Sequence, residues 1–187
     1  MAIEFKLTGT QLIQLPIFSN LNPFEAEALL EISSVRAFSE GQNIFEQGTE
    51  GDSLFVILKG TVEILKKVGQ EKPAVVAEFG SGAAFGEMTL ITDSQSERTA
   101  SARAKERVKV LIISKYDFQK LIHFGSIIAY KVAFNISKLL SLRLIQADQA
   151  ILESFETADD STKKILEDFL SRRKDILNQN ATEISHD

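Results

Sequence analysis

Cysteine is absent from the chain, which excludes several kinds of chemistry at the outset. Without a thiol, this chain forms no disulfide bond, binds no iron–sulfur cluster through cysteine and has no cysteine nucleophile. A sequence that needs no disulfide is compatible with a reducing compartment. We therefore expect a cytoplasmic location.

Histidine is almost as scarce, because the chain has only His123 and His186. Neither has a second ligand at the spacing typical of a metal site, so no metal is expected. The acidic pair Asp159-Asp160 is interpreted as negative charge at a helix start, where it interacts favourably with the helix dipole. It is not interpreted as a catalytic pair. No nucleophile or general base stands out, and we expect no enzyme activity.

An excess of basic residues and a long apolar run are missing as well. The formal net charge is −5 and the pI is about 5.2. These values argue against bulk binding of nucleic acid, although an acidic chain can still carry a local basic patch. The best candidate for a membrane span, residues 126–136, is interrupted by Lys131 and Asn135, so no span is expected. No signal peptide is evident at the N-terminus.

The apolar pattern that is present predicts first a helix and then strands. Asn22-Pro23 supplies a capping side chain and a proline at the first helical position, so a helix is predicted from there to about Ser33. Its expected core face consists of Phe24, Ala28, Leu29 and Ile32. From Val35 to about Ser114 the apolar period is two, and the regular turns indicate an antiparallel sandwich or barrel. The predicted strands are Val35–Phe38, Ile44–Phe45, Leu54–Leu58, Thr61–Lys67, Val75–Phe79, Ala100–Ala104 and Val108–Ile113.

Helical periodicity follows the strands. Tyr116–Phe124 predicts a short helix that Gly125 ends, and the chain from Ile127 to about Glu156, which contains neither proline nor glycine, predicts a long one. Its apolar stripe has residues three or four apart: Ile136, Leu140, Leu144, Ala147 and Ile151. So apolar a helix needs two surfaces to pack against. A monomeric helix folded back on its own domain is the alternative to a helix shared between two subunits.

A last amphipathic helix is predicted over Ser161–Gln179. Its lysines and arginines are interpreted as a solvated face, with a membrane-surface or partner role as the alternative. The final residues, Asn180–Asp187, are predicted to fray.

One polar stretch has the composition of a binding site. Gly86 precedes the carboxylate of Glu87, and glycine lets a backbone N–H approach an anion closely. Arg98 follows after a short loop, and its planar fork of donors matches a phosphate; Thr99 adds a hydroxyl. Because Glu87 would repel a phosphate, it is assigned to a sugar hydroxyl. The stretch therefore predicts a ribose-phosphate pocket, and a strand-turn-strand with a solvated arginine is the alternative.

The run FGEMTLITDSQSERTASARA resembles the phosphate-binding cassette of the cyclic-nucleotide-binding domain family, which includes the catabolite activator protein, kinase regulatory subunits and cyclic-nucleotide-gated channels. The pattern of that cassette is FGE, two or three small or apolar residues, a variable loop, and then R-[TAS]-A-[TS]. The upstream runs LPIFSNLNPFEAEALL and GTEGDSLFVILKGTVEIL extend the resemblance to roughly residues 12–150. Met88 stands where leucine or isoleucine is usual, and Ala102 stands where a larger aliphatic residue is common.

This resemblance implies a mainly β protein: an eight-stranded antiparallel jelly-roll sandwich with an N-terminal helix, a long C-terminal helix and a short terminal helix. The implied division is 1–125 for the sandwich, 126–157 for a dimerisation and switch helix, and 158–187 for the terminal helix and tail. The glycines at 48, 51 and 60 match the turn glycines of the family. The implied ligand-binding residues are Phe85, Gly86, Glu87, Met88, Thr89, Arg98, Thr99 and Ala100, with Arg143 on the long helix near the base.

The resemblance also implies a ligand and partners. Cyclic AMP is the first choice, cyclic GMP is the second, and a homodimer that signals to an unknown protein partner is expected. The residues left after the long helix hold one helix, too little for a helix-turn-helix, so no DNA binding is expected. A degenerate domain that binds no ligand and acts as a dimerisation or docking scaffold is the alternative, and an enzyme that uses the pocket is a third. Intact Glu87, Arg98 and Thr99 favour the sensor.

Overall fold

Three short helical segments precede the sheets. The computed structural model describes residues 7–67, 69, 72–91, 97–160, 162–165, 167–168 and 170–172. In it, helix α1 is Gly9–Leu12, a 3-10 helix is Pro16–Phe18, and helix α2 is Pro23–Glu31. The Asn22 side chain accepts a hydrogen bond from the Glu25 backbone, and the Glu25 carboxylate accepts one from the Asn22 backbone. This capping box confirms the predicted start of α2.

The predicted core face of α2 is wrong in two positions. The Phe24 side chain is 87% exposed and Ala28 is exposed too, whereas Ala26 and Leu29 are fully buried. Successive residues turn about 100° around a helix, so Ala26 and Leu29 lie on one stripe while Phe24 and Ala28 lie on another. Both stripes contain apolar residues, and the periodicity alone favours neither.

Two four-stranded antiparallel sheets form a jelly roll, as predicted. The strand order is β1-β8-β3-β6 in the first sheet and β2-β7-β4-β5 in the second. The shortest strand, β6, was not predicted, because Phe85 was assigned to the start of the binding cassette; in the structure Phe85 pairs with Phe55 of β3. The bounds are β1 Ser33–Phe38, β2 Asn43–Phe45, β3 Ser53–Lys59, β4 Val62–Lys66, β5 Ala74–Phe79, β6 Ala84–Phe85, β7 Ser101–Ala104 and β8 Val108–Ser114.

The main core lies between the two sheets. Residues from both inner faces form one buried cluster: Phe38, Phe55, Ile57, Val62, Phe85, Ala102, Ala104, Val108 and Val110. Alternation along the strands produces this cluster, since successive side chains of a strand point to opposite faces. In β8, for example, Val108 and Val110 are fully buried while Lys109 between them is half-buried.

Three further helices are α3, Met88–Ile91, α4, Lys115–His123, and α5, Ile127–Thr157. The predicted short helix Tyr116–Phe124 and the predicted long helix from Ile127 to about Glu156 are thereby confirmed to within one residue at each end. Gly125 separates α4 from α5 with a φ of +66°, a conformation that glycine adopts without strain. None of the described helices is both long enough and apolar enough to cross a membrane.

The chain divides into two units, Met1–Leu139 and Leu140–Asp187, and α5 begins in the first and ends in the second. In the second unit, described residues between 160 and 172 are helical. The rest of the predicted helix Ser161–Gln179, and the tail after it, lie outside the described residues. The three-part division at 125 and 157 stays a prediction.

A polar cluster joins the N-terminal segment to the first half of α5. The buried amide of Asn135 donates to Ile17 O at 3.0 Å and to Asn20 Oδ1 at 2.8 Å. Lys131 Nζ donates to both oxygens of the Glu25 carboxylate at 2.7 and 2.8 Å. This charged hydrogen bond, together with the Asn22 backbone bond, lowers the pKa of Glu25 below its usual value, against the opposing effect of burial.

Glu25→Gln tests the ion pair, because glutamine keeps the capping box while it removes the charge. The native pKa is lowered, so the contribution of the pair to the free energy of unfolding is complete above the usual pKa of 4.5 and declines as the pH falls below it. We expect Glu25→Gln to lose ~0.5–1 kcal/mol at neutral pH in urea denaturation, and less at pH 3.

The control for this prediction is Glu31→Gln, at the exposed last turn of the same helix. The change in unfolding free energy caused by Glu31→Gln should not decrease between neutral pH and pH 3 as the change caused by Glu25→Gln does. A Glu25→Gln difference that is independent of pH would contradict the role of the ion pair.

Candidate functional site

Gly86 shapes the loop between β6 and α3. Its φ is +73°, and a Cβ at this position would lie 2.6 Å from Arg98 Nη1 and 3.0 Å from Ser53 O. No other residue type leaves this space open, because all others carry a Cβ. Glycine therefore permits the arginine side chain to reach the loop.

The backbone of Arg98 is held by the turn that precedes β3. Arg98 N donates to Thr49 O at 2.7 Å, and Gly48 N donates to Arg98 O at 2.8 Å. An isolated bridge between Glu50 and Glu97 extends this pairing by one residue. The Gly48–Asp52 turn, predicted for its geometry alone, thus also positions the arginine.

The Arg98 guanidinium is buried among oxygen acceptors. Nη2 donates to Ser53 O at 3.0 Å and to Asp52 Oδ1 at 3.4 Å. Nη1 donates to Thr89 Oγ1 at 3.3 Å and to Gly86 O at 3.4 Å. Arg98 is 5% exposed, so the alternative of a solvated arginine is wrong. Its Nε is also buried and makes no hydrogen bond within the described part of the chain.

Three charges determine the electrostatics of this site. Burial lowers the pKa of Arg98, and the nearby carboxylates of Asp52 and Glu87 partly offset that effect. An arginine retains its charge nonetheless. The side chain of Asp52 is 83% exposed and Glu87 is 4% exposed. The site therefore contains a buried cation, Arg98, and a buried carboxylate, Glu87. The other carboxylate, Asp52, is exposed to solvent.

The remaining predicted residues of the cassette occupy different environments. Phe85 is buried and stacks on Phe55, with ring centroids 5.3 Å apart. Met88 is 49% exposed, Thr99 is exposed and Ala100 is half-buried. Direct contacts join Gly86, Thr89 and Arg98, and ligand contact by each of the predicted residues stays a prediction.

Arg143 lies on the part of α5 that belongs to the second unit. Its predicted contact with a nucleotide base likewise stays a prediction. Among the described residues, no group of three or more histidine, aspartate or glutamate side chains is placed to hold a metal ion.

Three residues of the site escaped the sequence reasoning. Asp52 was predicted only as the end of the turn that begins at Gly48, and Ser53 was given no role, although both provide acceptors to Arg98. Phe45 was read as part of a short strand, although its ring lies against the guanidinium, with Arg98 Cζ 4.3 Å from the ring centroid. A Gly-Asp-Ser run at a glycine turn is a usable signal for the first two, and the sequence carries none for Phe45.

The fold and site together define a jelly roll with a buried arginine beside a glycine loop. Residues 35–123 match the family model described as the cyclic nucleotide-binding domain. The resemblance is thereby confirmed: residues 35–123 form a domain of the cyclic-nucleotide-binding family.

Two proteins that are similar in sequence have names that fit this family. The Cyclic AMP receptor protein of Thermus thermophilus is 35% identical over 146 residues, which are 76% of this chain and 64% of that protein. The cAMP-dependent protein kinase regulatory subunit of Emericella nidulans is 32% identical over 109 residues, which are 58% of this chain and 25% of that protein. The chain thus spans less than two thirds of the length of either relative.

Solved structures show the same fold. The Thermus thermophilus Catabolite Activator Protein superposes with a TM-score of 0.64 at 34% identity, over 75% of this chain and 64% of that one. A cyclic nucleotide-binding domain from Methylobacillus flagellatus superposes with a TM-score of 0.71 at 23% identity, over 81% of this chain and 85% of that one.

Gly86→Ala is expected to destabilise the protein more than Gly48→Ala does. Both glycines have positive φ, +73° and +81°, so each alanine costs ~1–2 kcal/mol for the left-handed backbone. A Cβ at 48 meets nothing within 4 Å, whereas one at 86 meets Arg98 and Ser53. We expect a further ~1–3 kcal/mol at position 86 from overpacking, measured by urea denaturation. Equal losses in the two variants would show that the close approach of Arg98 is unimportant.

Proposed function

We propose that this chain is a sensor of a cyclic mononucleotide, with cyclic AMP as the preferred ligand and cyclic GMP as the second choice. The observation that carries the proposal is the buried Arg98 guanidinium, held beside Gly86 and next to the buried carboxylate of Glu87. The arginine fork would bind the cyclic phosphate. Glu87 would accept a hydrogen bond from the ribose hydroxyl, because a carboxylate is an acceptor.

The preference for cyclic AMP is supported by the relatives. The Thermus thermophilus protein is named for cyclic AMP, and the fungal kinase subunits for dependence on it. Thr99 is exposed at the end of the cassette and offers a hydroxyl that suits a guanine, which keeps cyclic GMP as the second choice. Recognition of the base is assigned to Arg143.

The output of the sensor is proposed to run through the C-terminal helices to a separate protein partner. The second half of α5 exposes large apolar side chains: Leu142, Leu144, Ile145 and Leu152 are each 53–62% exposed. Apolar side chains clustered on one helix favour a second helix as their partner. They therefore support a homodimer through α5. The proposal further includes a cytoplasmic location and a regulatory role without catalysis.

Arg98→Ala tests the assignment of the ligand site. If the buried guanidinium binds the cyclic phosphate, its truncation leaves an anion unpaired in a desolvated pocket. We expect a loss of ~2–5 kcal/mol, or about 30-fold to several thousand-fold in affinity, by calorimetry with cyclic AMP and cyclic GMP. Arg98→Lys should lose much of the affinity because the fork is gone. Glu87→Gln should lose less, since an amide oxygen still accepts.

Arg103→Ala is the matched control for this experiment, because Arg103 is an arginine of the neighbouring strand whose guanidinium pairs with Glu63 across β7 and β4. Near-parental affinity in a folded Arg98→Ala protein would refute the site. Absence of binding to the parent protein would favour the alternative, a domain that keeps the fold as a dimerisation or docking scaffold.

Nucleotide binding is expected to change amide exchange in residues 120–160 as well as in residues 80–104. Gly125 can absorb a backbone change at the junction of α4 and α5, since a Cβ there would meet nothing within 4 Å. A useful switch needs ~1–3 kcal/mol of coupling between ligand and helix. Hydrogen–deuterium exchange with saturating cyclic AMP measures this, and Arg98→Ala serves as the unresponsive control. Protection confined to residues 80–104 would mean that the ligand only fills a pocket.

A further inference from the structure

The Arg98 guanidinium lies over aromatic rings. Its Cζ lies 4.3 Å from the centroid of the Phe45 ring and 5.5 Å from that of Phe55. The rings of Phe45, Phe55 and Phe85 also contact one another, with centroids 5.3–5.9 Å apart. The nearest ring, Phe45, is only half-buried and belongs to the opposite sheet from Phe55 and Phe85.

The hydrogen bonds of Arg98 restrain the guanidinium only loosely. Three of the four bonds are 3.3–3.4 Å long, and the bond to Ser53 O, at 3.0 Å, is the short one. N–H···O bonds are most favourable near 2.9–3.0 Å. Long bonds restrain the tilt of the guanidinium plane less than short ones would. A ring against its face supplies that missing restraint, since a cation is attracted to the negative face of an aromatic ring.

The backbone of β2 directs Phe45 toward the arginine. The pairing of β2 with β7 shifts register between Asn43 and Phe45, and Phe45 lies opposite Ala102. Such irregularities re-aim side chains next to functional sites. Phe45 packs against the core cluster that includes this alanine.

We propose that Phe45 is a positioning residue for the nucleotide site: the face of its ring sets the plane of the Arg98 guanidinium in the orientation that a cyclic phosphate requires. Phe45 acts through Arg98 and does not itself contact the ligand. This inference rests on the proposed function, since its consequence for affinity requires that a cyclic nucleotide binds.

Fluorination of the Phe45 ring tests the electrostatic part of this role. Replacing Phe45 with mono-, di- and trifluorophenylalanine withdraws charge from the ring face in steps while it changes the shape little. We expect the affinity for cyclic AMP to fall progressively, by about 3- to 10-fold across the series. The same series at Phe38, a buried member of the same core cluster, is the matched control and should leave the affinity unchanged. Phe45→Tyr should retain the affinity and Phe45→Leu should lose it.

A second measurement needs no ligand. In the nuclear magnetic resonance spectrum of the free protein, the Arg98 Nε–H signal, assigned through Arg98→Lys, should carry a ring-current shift that Phe45→Leu reduces, while Phe55 still contributes to it. If the parent protein binds neither nucleotide, the proposed function fails while this spectrum still decides the role of Phe45. An affinity that stays flat across the fluorinated series, or an Arg98 signal unmoved by Phe45→Leu, would overturn the inference.

Discussion

The burial of one guanidinium organises this domain. A buried charge is costly unless it is paired and hydrogen-bonded, and the partners of Arg98 come from chain segments far apart in sequence. Ser53 and Gly86 adjoin β3 and β6 of the first sheet, whereas Phe45 belongs to β2 of the second. The site can therefore assemble only when both sheets are formed and packed. The geometry of the site thus depends on the packing of the whole sandwich.

Local chemistry explains which parts of the fold could be predicted from sequence. The start of α2 depends on Asn22, Pro23 and Glu25, which are neighbours, and the long α5 follows from the absence of helix breakers. The core face of α2 could not be predicted, because apolar residues occupy two stripes and only packing against the rest of the domain selects Ala26 and Leu29 over Phe24. Strand β6 is too short for any periodicity to reveal.

The residues of the candidate site also fall into two groups, those that the sequence alone predicts and those that it does not. Gly86 and Arg98 were found because their types carry chemistry wherever they stand: glycine for a close approach and arginine for an anion. Asp52 and Phe45 are separated from Arg98 by about fifty residues, and neither residue type alone indicates such a contact. Their roles depend on the pairing of the 48–52 turn with residues 97–98 and on the register shift of β2. Both features are properties of the tertiary structure.

The unequal bonds of Arg98 bear on how such a site signals. An anion offers charge-assisted hydrogen bonds that are stronger than those of neutral oxygens. It can therefore replace the long contacts of Nη1 to Thr89 and Gly86 while the short contact to Ser53 O persists. Thr89 lies within α3 and Gly86 just before it, so exchange of these contacts changes the restraints on that helix alone. A ligand shifts a conformational equilibrium only through contacts that differ between the two states. Under the proposed function, the contacts that an anion would replace belong to Thr89 of α3 and to Gly86 just before it. We therefore propose α3 as the first element to respond to binding.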